Sequence, residues 1–492
     1  TRLSTTASVM WASFLSRWGL QPPALSALIA SASGSLVASA STSSYLRPFL
    51  AASLLYHGFE QYIRWRRRAR LAVKGVPEAV AAAMPEVDPA EYARAQEYSA
   101  AKNNFGFVAD LYGLATGLVH LWLQAAVWNG PALSLVLRCG GTASHELARA
   151  GASMLLCAPW DLLSGVPVDL YRTFVLEERF GFNKHTWLSW LGDSLKHFVV
   201  EELLMGSLMM APLVLLVRSL GAAPPLAARA CPRPVTALPS PPAGPSSWMY
   251  GFGFTSLFVL LLNVVYPVWI APLFNTFAPL PEGDVRDGVE ALVKSSGINC
   301  SRIFQVDGSR QSAHSNAYVA GFFGSKRIVI YDTLITHLDG DVEDICAVVA
   351  HEIGHAQLHH NYALLGVSTA QLFVMFRLFG VCTDPRLVTD FGFDAPCAYL
   401  SLLTFFTLWS VAMPLVSFGL NAFTRQLEYQ ADAYSVRLGF DIRKALAKIS
   451  KTNLSDLNPD PLDSLFHHSH PTTVQRVLAV KQLLDTCERK AL

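Results

Sequence analysis

The stretch Ala347-Val-Val-Ala-His-Glu-Ile-Gly-His-Ala356 decides how the rest of the chain is read. It contains His351-Glu352-Ile353-Gly354-His355, an H-E-x-x-H pattern. Residues four apart share one face of a helix, so both imidazoles can grip one metal ion. Glu352 sits beside them, within reach of a water on that ion. Imidazole and carboxylate suit zinc, and a catalytic site keeps one position open for water. The flanking residues support a helix. Asp341 can cap its start, Asp344 adds negative charge to the first turn, and Ile345, Val348 and Val349 supply an apolar side.

A third ligand is required, and none is close by. A metzincin would carry Gly at 358 and His at 361, where this chain has Leu358 and Asn361. His359 and His360 lack the spacing of a third ligand. The better candidate is Glu428, in Arg425-Gln-Leu-Glu-Tyr-Gln-Ala-Asp432. Leu427, Ala431, Tyr434 and Leu438 form a stripe at helical spacing that ends at Gly439. Glu428 and Asp432 are four apart, so both can face one site. Glu428 would bind zinc, and Asp432 would orient a ligand histidine. Taken alone, either carboxylate also reads as an ordinary ion-pair partner.

The chain has 492 residues, of which 52% are hydrophobic and only 15% charged, too apolar for an ordinary soluble enzyme. A net charge of +1 gives no electrostatic case for a nucleic acid partner. The eight cysteines are scattered without a C-x-x-C pair, which argues against a disulfide framework and a cysteine metal site. The sequence starts with Thr1 and reads as a fragment or a processed product. Residues 1–44, rich in Ser, Ala and Leu, read as a variable or targeting segment.

A membrane span needs about 20 mostly apolar residues. Seven stretches qualify, near 45–63, 105–129, 150–171, 197–217, 248–271, 361–382 and 398–420. The predicted fold is therefore a polytopic α-helical membrane protein. Residues 45–271 hold spans one to five, and 361–420 hold spans six and seven. Residues 272–360 and 421–492 form the two parts of a soluble α+β zinc-peptidase domain. Residues 222–247, rich in Pro and Ala, read as an irregular loop. The basic run Arg64-Trp-Arg-Arg-Arg-Ala-Arg70 marks the cytosolic side and a contact with membrane lipid headgroups. The chain is then cytosolic after spans one, three, five and seven. The H-E-x-x-H pattern follows span five and Glu428 follows span seven, so both fall on one side. The 73 residues between His355 and Glu428 (428 − 355) allow a helical hairpin to cross and return.

Glu60, Asp110, His120, Asp161, Asp169, Glu201 and Glu202 lie within or at the ends of these spans, and should pair or face a wet interior. Ile303–Val306, Asn316–Ala320 and Arg327–Tyr331 read as strands, the last two joined through Gly321-Phe-Phe-Gly324. A strand edge beside a zinc site can hold an extended peptide, and Asn316, Ala317 and Tyr318 occupy that position.

His351-Glu-Ile-Gly-His355 together with Glu428-Tyr-Gln-Ala-Asp432 resembles the Ste24-type CAAX prenyl proteases, membrane zinc metalloproteases of eukaryotes. Further matching stretches are Glu177-Glu-Arg-Phe-Gly-Phe-Asn183, Ile270-Ala-Pro-Leu-Phe-Asn275, His314-Ser-Asn-Ala-Tyr318, Lys326-Arg-Ile-Val329 and Ser469-His-Pro471, in family order over residues 45–485. The resemblance implies seven transmembrane helices around a chamber, with a gluzincin-like zinc site at its cytosolic end, in the endoplasmic reticulum membrane. It implies removal of the last three residues from prenylated Cys-a-a-X proteins. Carried over by position, His351, His355 and Glu428 hold one zinc ion and Glu352 is the base. Asn316 would hold substrate backbone and His470 would stabilise the transition state; by pattern alone His470, near His467 and His468, reads as a surface histidine. Ala356 departs from the resemblance, which implies a bulky aromatic there. Two other readings remain open from the sequence: a quality-control metalloprotease with no prenyl requirement, and a non-catalytic chamber protein acting as a channel or translocon partner.

Overall fold

The computed structural model describes residues 44–221, 246–321, 326–382 and 384–491. The expected variable segment up to residue 43, most of the Pro-rich loop and residues 322–325 of the hairpin lie outside the described residues.

Long helices dominate. Five are long and apolar enough to cross a membrane: Pro89–Arg138, Glu146–Phe180, Trp187–Ser219, Ser247–Leu273 and His360–Val381. Ala398–Ser410 and Met413–Arg437 together make a sixth, bent by 58°. Such helices satisfy their own backbone groups, which a bilayer interior requires. The first expected span, 45–63, lies in a single helix, Leu46–Leu71, which falls short in apolar content. Arg47, His57, Glu60 and Gln61 interrupt its apolar residues, and the arginine run continues the same helix. Pro89–Arg138 starts at an Asp88 cap whose carboxylate accepts from Ala90 N at 3.0 Å, and Pro89 needs no donor there. It passes through a wide turn at Trp128–Ala132, where Pro131 cannot donate.

The ionisable residues of these helices are mostly paired. Arg64 Nη2 donates to Asp110 Oδ1 at 3.0 Å, tying the first helix to the second. His120 Nδ1 lies 2.9 Å from Asp161 Oδ1, tying the second to the third. Asp169 pairs with Arg172, and Glu201 with His197, within their own helices. The basic run is also committed to protein: Arg66 bonds Asp460 at 3.2 Å and Arg67 bonds Asp463 at 3.3 Å. Beside its expected place as a topology determinant and headgroup contact, the run thus has a structural role through Arg64, Arg66 and Arg67.

The soluble part carries one four-stranded sheet in the order β1 (Phe277–Pro279), β2 (Cys300–Val306), β4 (Lys326–Tyr331), β3 (Ala317–Ala320). β2 and β4 are parallel; the two outer pairs are antiparallel. Ala317 faces Ile330 and Ala320 faces Arg327, so β3 is an edge strand paired on one side only. The helix bearing the H-E-x-x-H residues, Val342–Gln357, packs against the sheet. Asp341 caps it as expected, accepting from Glu343 N and Asp344 N at 3.0 and 3.3 Å. Ile345, Ala347, Val349, Ala350 and Ile353 of this helix are fully buried with Ile330 of β4, Val289, Ala445 and Val480. One core thus draws on chain from both sides of residues 361–420. A second core, with Leu213, Val217, Phe376, Phe379, Leu400 and Phe405, lies among the long helices.

Candidate metal centre

Two helices build the site: Val342–Gln357 and Met413–Arg437. They approach closely because Gly354 has no side chain. A Cβ there would meet Tyr434 Cβ at 3.1 Å and the Ala431 backbone at 3.2 Å. Ser435 Oγ, fully buried, donates across the contact to Ala347 O at 3.2 Å. Asp344, at the far end of the first helix, pairs with Lys448 at 2.7 Å.

This contact brings together the sequence-predicted metal residues. One ligand atom each from His351, His355 and Glu428 lie within 4.8 Å of one another. The two Nε2 atoms are 3.1 Å apart, and Glu428 lies 3.5 Å from His351 Nε2 and 3.3 Å from His355 Nε2. Asp432 Oδ1 sits 2.9 Å from His351 Nδ1, which fixes the proton on Nδ1 and leaves Nε2 with a lone pair. Such a donor set, lone pairs and a carboxylate converging from buried positions, fits a divalent cation. The electrostatics agree. Burial opposes charge on His351, yet Asp432 and Glu428 outweigh it and push its pKa up to about 9. The site favours positive charge at that point.

Glu352 is half-buried, and burial pushes its carboxyl pKa up. It accepts no hydrogen bond from any described residue, so it is free to take a proton. His470 Nδ1 lies 2.8 Å from Glu428 Oε2, although its side chain is 61% exposed. The loop that carries it therefore does reach the centre. Asn316 is exposed at the start of β3; its carbonyl accepts from Tyr331 N at 3.1 Å and its Oδ1 from Ala317 N at 2.9 Å. Ala317 and Tyr318 follow it on the edge strand, against the Val342–Gln357 helix.

Arg476 escaped the sequence reading, and His360, excluded there as a third ligand, turns out to stand beside one. Arg476 donates to both oxygens of Asp432, at 2.6 and 2.9 Å, and stands 3.7 Å from Glu428. A cation in the first turn of a helix (Thr473–Ala491) opposes the helix dipole, which hints at an anionic partner, but nothing in the sequence names it. His360, buried, places Nδ1 3.0 Å from His355 Nδ1 and Nε2 3.2 Å from Gln430 Oε1, so it backs a candidate ligand without joining the set.

Comparison with known proteins agrees with this geometry. Residues 279–484 match peptidase family M48, and residues 66–228 match the CAAX prenyl protease N-terminal region, described as five membrane helices. The chain is 34% identical to the CAAX prenyl protease 1 homolog of Arabidopsis thaliana over 430 residues, covering 86% of this chain and 94% of the relative. It is 30% identical over 453 residues to the CAAX prenyl protease 1 of Saccharomyces cerevisiae, covering 87% and 93%. The crystal structure of S. mikatae Ste24p superposes with a TM-score of 0.77 at 29% identity, over 88% of this chain and 98% of that one. The chain therefore belongs to peptidase family M48, among the CAAX prenyl protease 1 proteins, and is a multi-pass membrane metalloprotease.

Proposed function

We propose that this protein is a zinc metalloendopeptidase of the endoplasmic reticulum membrane that removes the last three residues from prenylated Cys-a-a-X proteins, with its site open to the cytosol. The observation that carries the reading is the convergence of His351, His355 and Glu428. The names of the relatives support the Cys-a-a-X substrate class.

His351, His355 and Glu428 would hold the zinc ion, with Asp432, itself held by Arg476, fixing the His351 ring. When bound, zinc supplies Lewis acidity to the scissile carbonyl and lowers the pKa of a water to about 7. Glu352 takes a proton from the attacking water and delivers it to the leaving amine. Burial raises its carboxyl pKa above the usual carboxylate range, which favours its holding the proton it takes. His470 is held through Nδ1 by Glu428, which places its imidazole to stabilise the developing oxyanion. The free edge of β3, from Asn316 through Ala317 and Tyr318, pairs with an extended substrate backbone.

The test is a cleavage assay of the purified protein on a farnesylated Cys-a-a-X peptide beside its unprenylated twin. Release of the terminal tripeptide from the farnesylated peptide alone is expected. Equal cleavage of both would replace the reading with a protease indifferent to prenylation, and cleavage of neither by zinc-loaded protein would remove the activity altogether.

A further inference from the structure

His470 has little of its own to hold it. Its side chain is mostly exposed, and Glu428 is the partner the structure gives it. Its position is inherited from the segment 461–472, and that segment is pinned with unusual density. Arg425 donates to the carbonyls of His468 and Ser464 at 2.6 and 3.4 Å, and Asn421 Nδ2 to Phe466 O at 2.8 Å. The Phe466 ring packs between Phe59 and Phe418, with centroids 4.9 and 4.7 Å away. At its centre stands His467. Nδ1 lies 3.0 Å from Asp463 and Nε2 3.0 Å from Glu60, on the first helix. Both carboxylates are nearly buried, 7% and 14% exposed. Without a cation between them they would repel at close range, in a poorly solvated setting. Arg67 pairs with the other oxygen of Asp463, and His468 lies 3.8 Å from it. Arg66 anchors Asp460 at the start of the same short helix.

We propose that His467 and Glu60 are positioning residues for His470, so that the first helix of the chain sets the geometry of transition-state stabilisation. The inference rests on the reading of His470 as the oxyanion donor. Two residues, His468 and Ser469, separate His467 from His470, and the ring must hold its donor within hydrogen-bond reach of the oxyanion. A displacement of 1 Å at such a group can cost about 100-fold in rate.

A double-mutant cycle on the full-length protein tests it. kcat, KM and bound metal are measured on the farnesylated peptide for His467→Gln, His470→Ala and the combination. His467→Gln should lower kcat by about 10- to 100-fold with KM and metal content unchanged. In the His470→Ala background it should have no further effect, because residues acting through one group are not additive. An equal loss in both backgrounds, or loss of metal, would overturn the clamp while leaving His470 in its role. An inert His470→Ala would instead sink the reading of His470, and the clamp with it. Glu60→Gln, nearly isosteric, runs the same cycle if His467→Gln fails to fold, and should show the same pattern more weakly.

Discussion

Gly354 occupies one of the two unspecified places of the H-E-x-x-H pattern, yet it is where the two site helices touch. A methyl group there would stand 3.1–3.3 Å from Tyr434 and Ala431, tighter than ordinary contact. Overpacking of this kind costs about 1–3 kcal/mol. It would also spread His355 from Glu428. Gly354→Ala should therefore lower metal affinity and activity together, read by titrating metal into stripped protein; unchanged affinity would mean that the helices relax elsewhere. The roles of base and ligand separate in the same assay. Glu352→Gln should cut turnover by about 10²–10⁴-fold with metal content intact. Glu428→Ala should lose metal. Arg476→Gln, which frees Asp432, should fall between, at about 10–100-fold in affinity or activity. At this scale the spacing of His351 and His355 was legible because a helix has one period. Arg476 was not, because its partners Asp432 and Glu428 lie 44 and 48 residues away (476 − 432, 476 − 428) and no local pattern joins them.

Among the elements, the strands were legible from apolar runs between turn residues, and the observed β2, β3 and β4 differ from expectation only at their ends. Asn316–Ala320 was read as a strand edge beside the metal site, and β3 does lie at the edge of the sheet. If Asn316 holds substrate as proposed, Asn316→Ala should reduce kcat/KM while metal stays bound; loss of metal in a folded variant would contradict that role. The first helix was harder to read. Composition read it as a membrane span followed by a topology-determining basic run; nothing local showed that Arg66, Arg67 and Glu60 also reach Asp460, Asp463 and His467, about four hundred residues on. The junction should be sensitive to pH. Asp463 first, and then Glu60, raise the His467 pKa to about 9 against an ordinary 6.5. Its contribution to stability is therefore fully present below pH 6.5 and is lost as pH rises through 9. The melting temperature of the wild type should fall over that window relative to His467→Gln; parallel curves would show that His467 is not charged there.

For the molecule as a whole, the alternation of spans placed both site segments on one face before any contact was known. The structure supports that logic with one core built from residues on either side of 361–420. Partly exposed Cys300 lies on the sheet, whereas exposed Cys382 follows the His360–Val381 helix that leads away from the site. In sealed microsomes, single-cysteine variants should react with an impermeant maleimide from opposite faces at these two positions. Labelling of both from one face would mean that His360–Val381 does not cross. The 58° bend between Ala398–Ser410 and Met413–Arg437 was read as part of one continuous span, although Pro414, which has no N–H to continue the first helix, stands at the break.

The division of the centre along the chain also bears on its biosynthesis. His355 is translated early, Glu428 after a further membrane hairpin, and Arg476 another 48 residues on (476 − 428). At ~5–20 residues per second, the 121 residues from His355 to Arg476 take about 6–24 s to emerge. Throughout that interval a ribosome-bound chain holds half a protease. Its candidate metal set stays incomplete until Glu428, beyond the hairpin of residues 361–420, has been made. Chains stalled at residue 460 should neither retain metal nor cleave peptide, and activity in such chains would refute the delay.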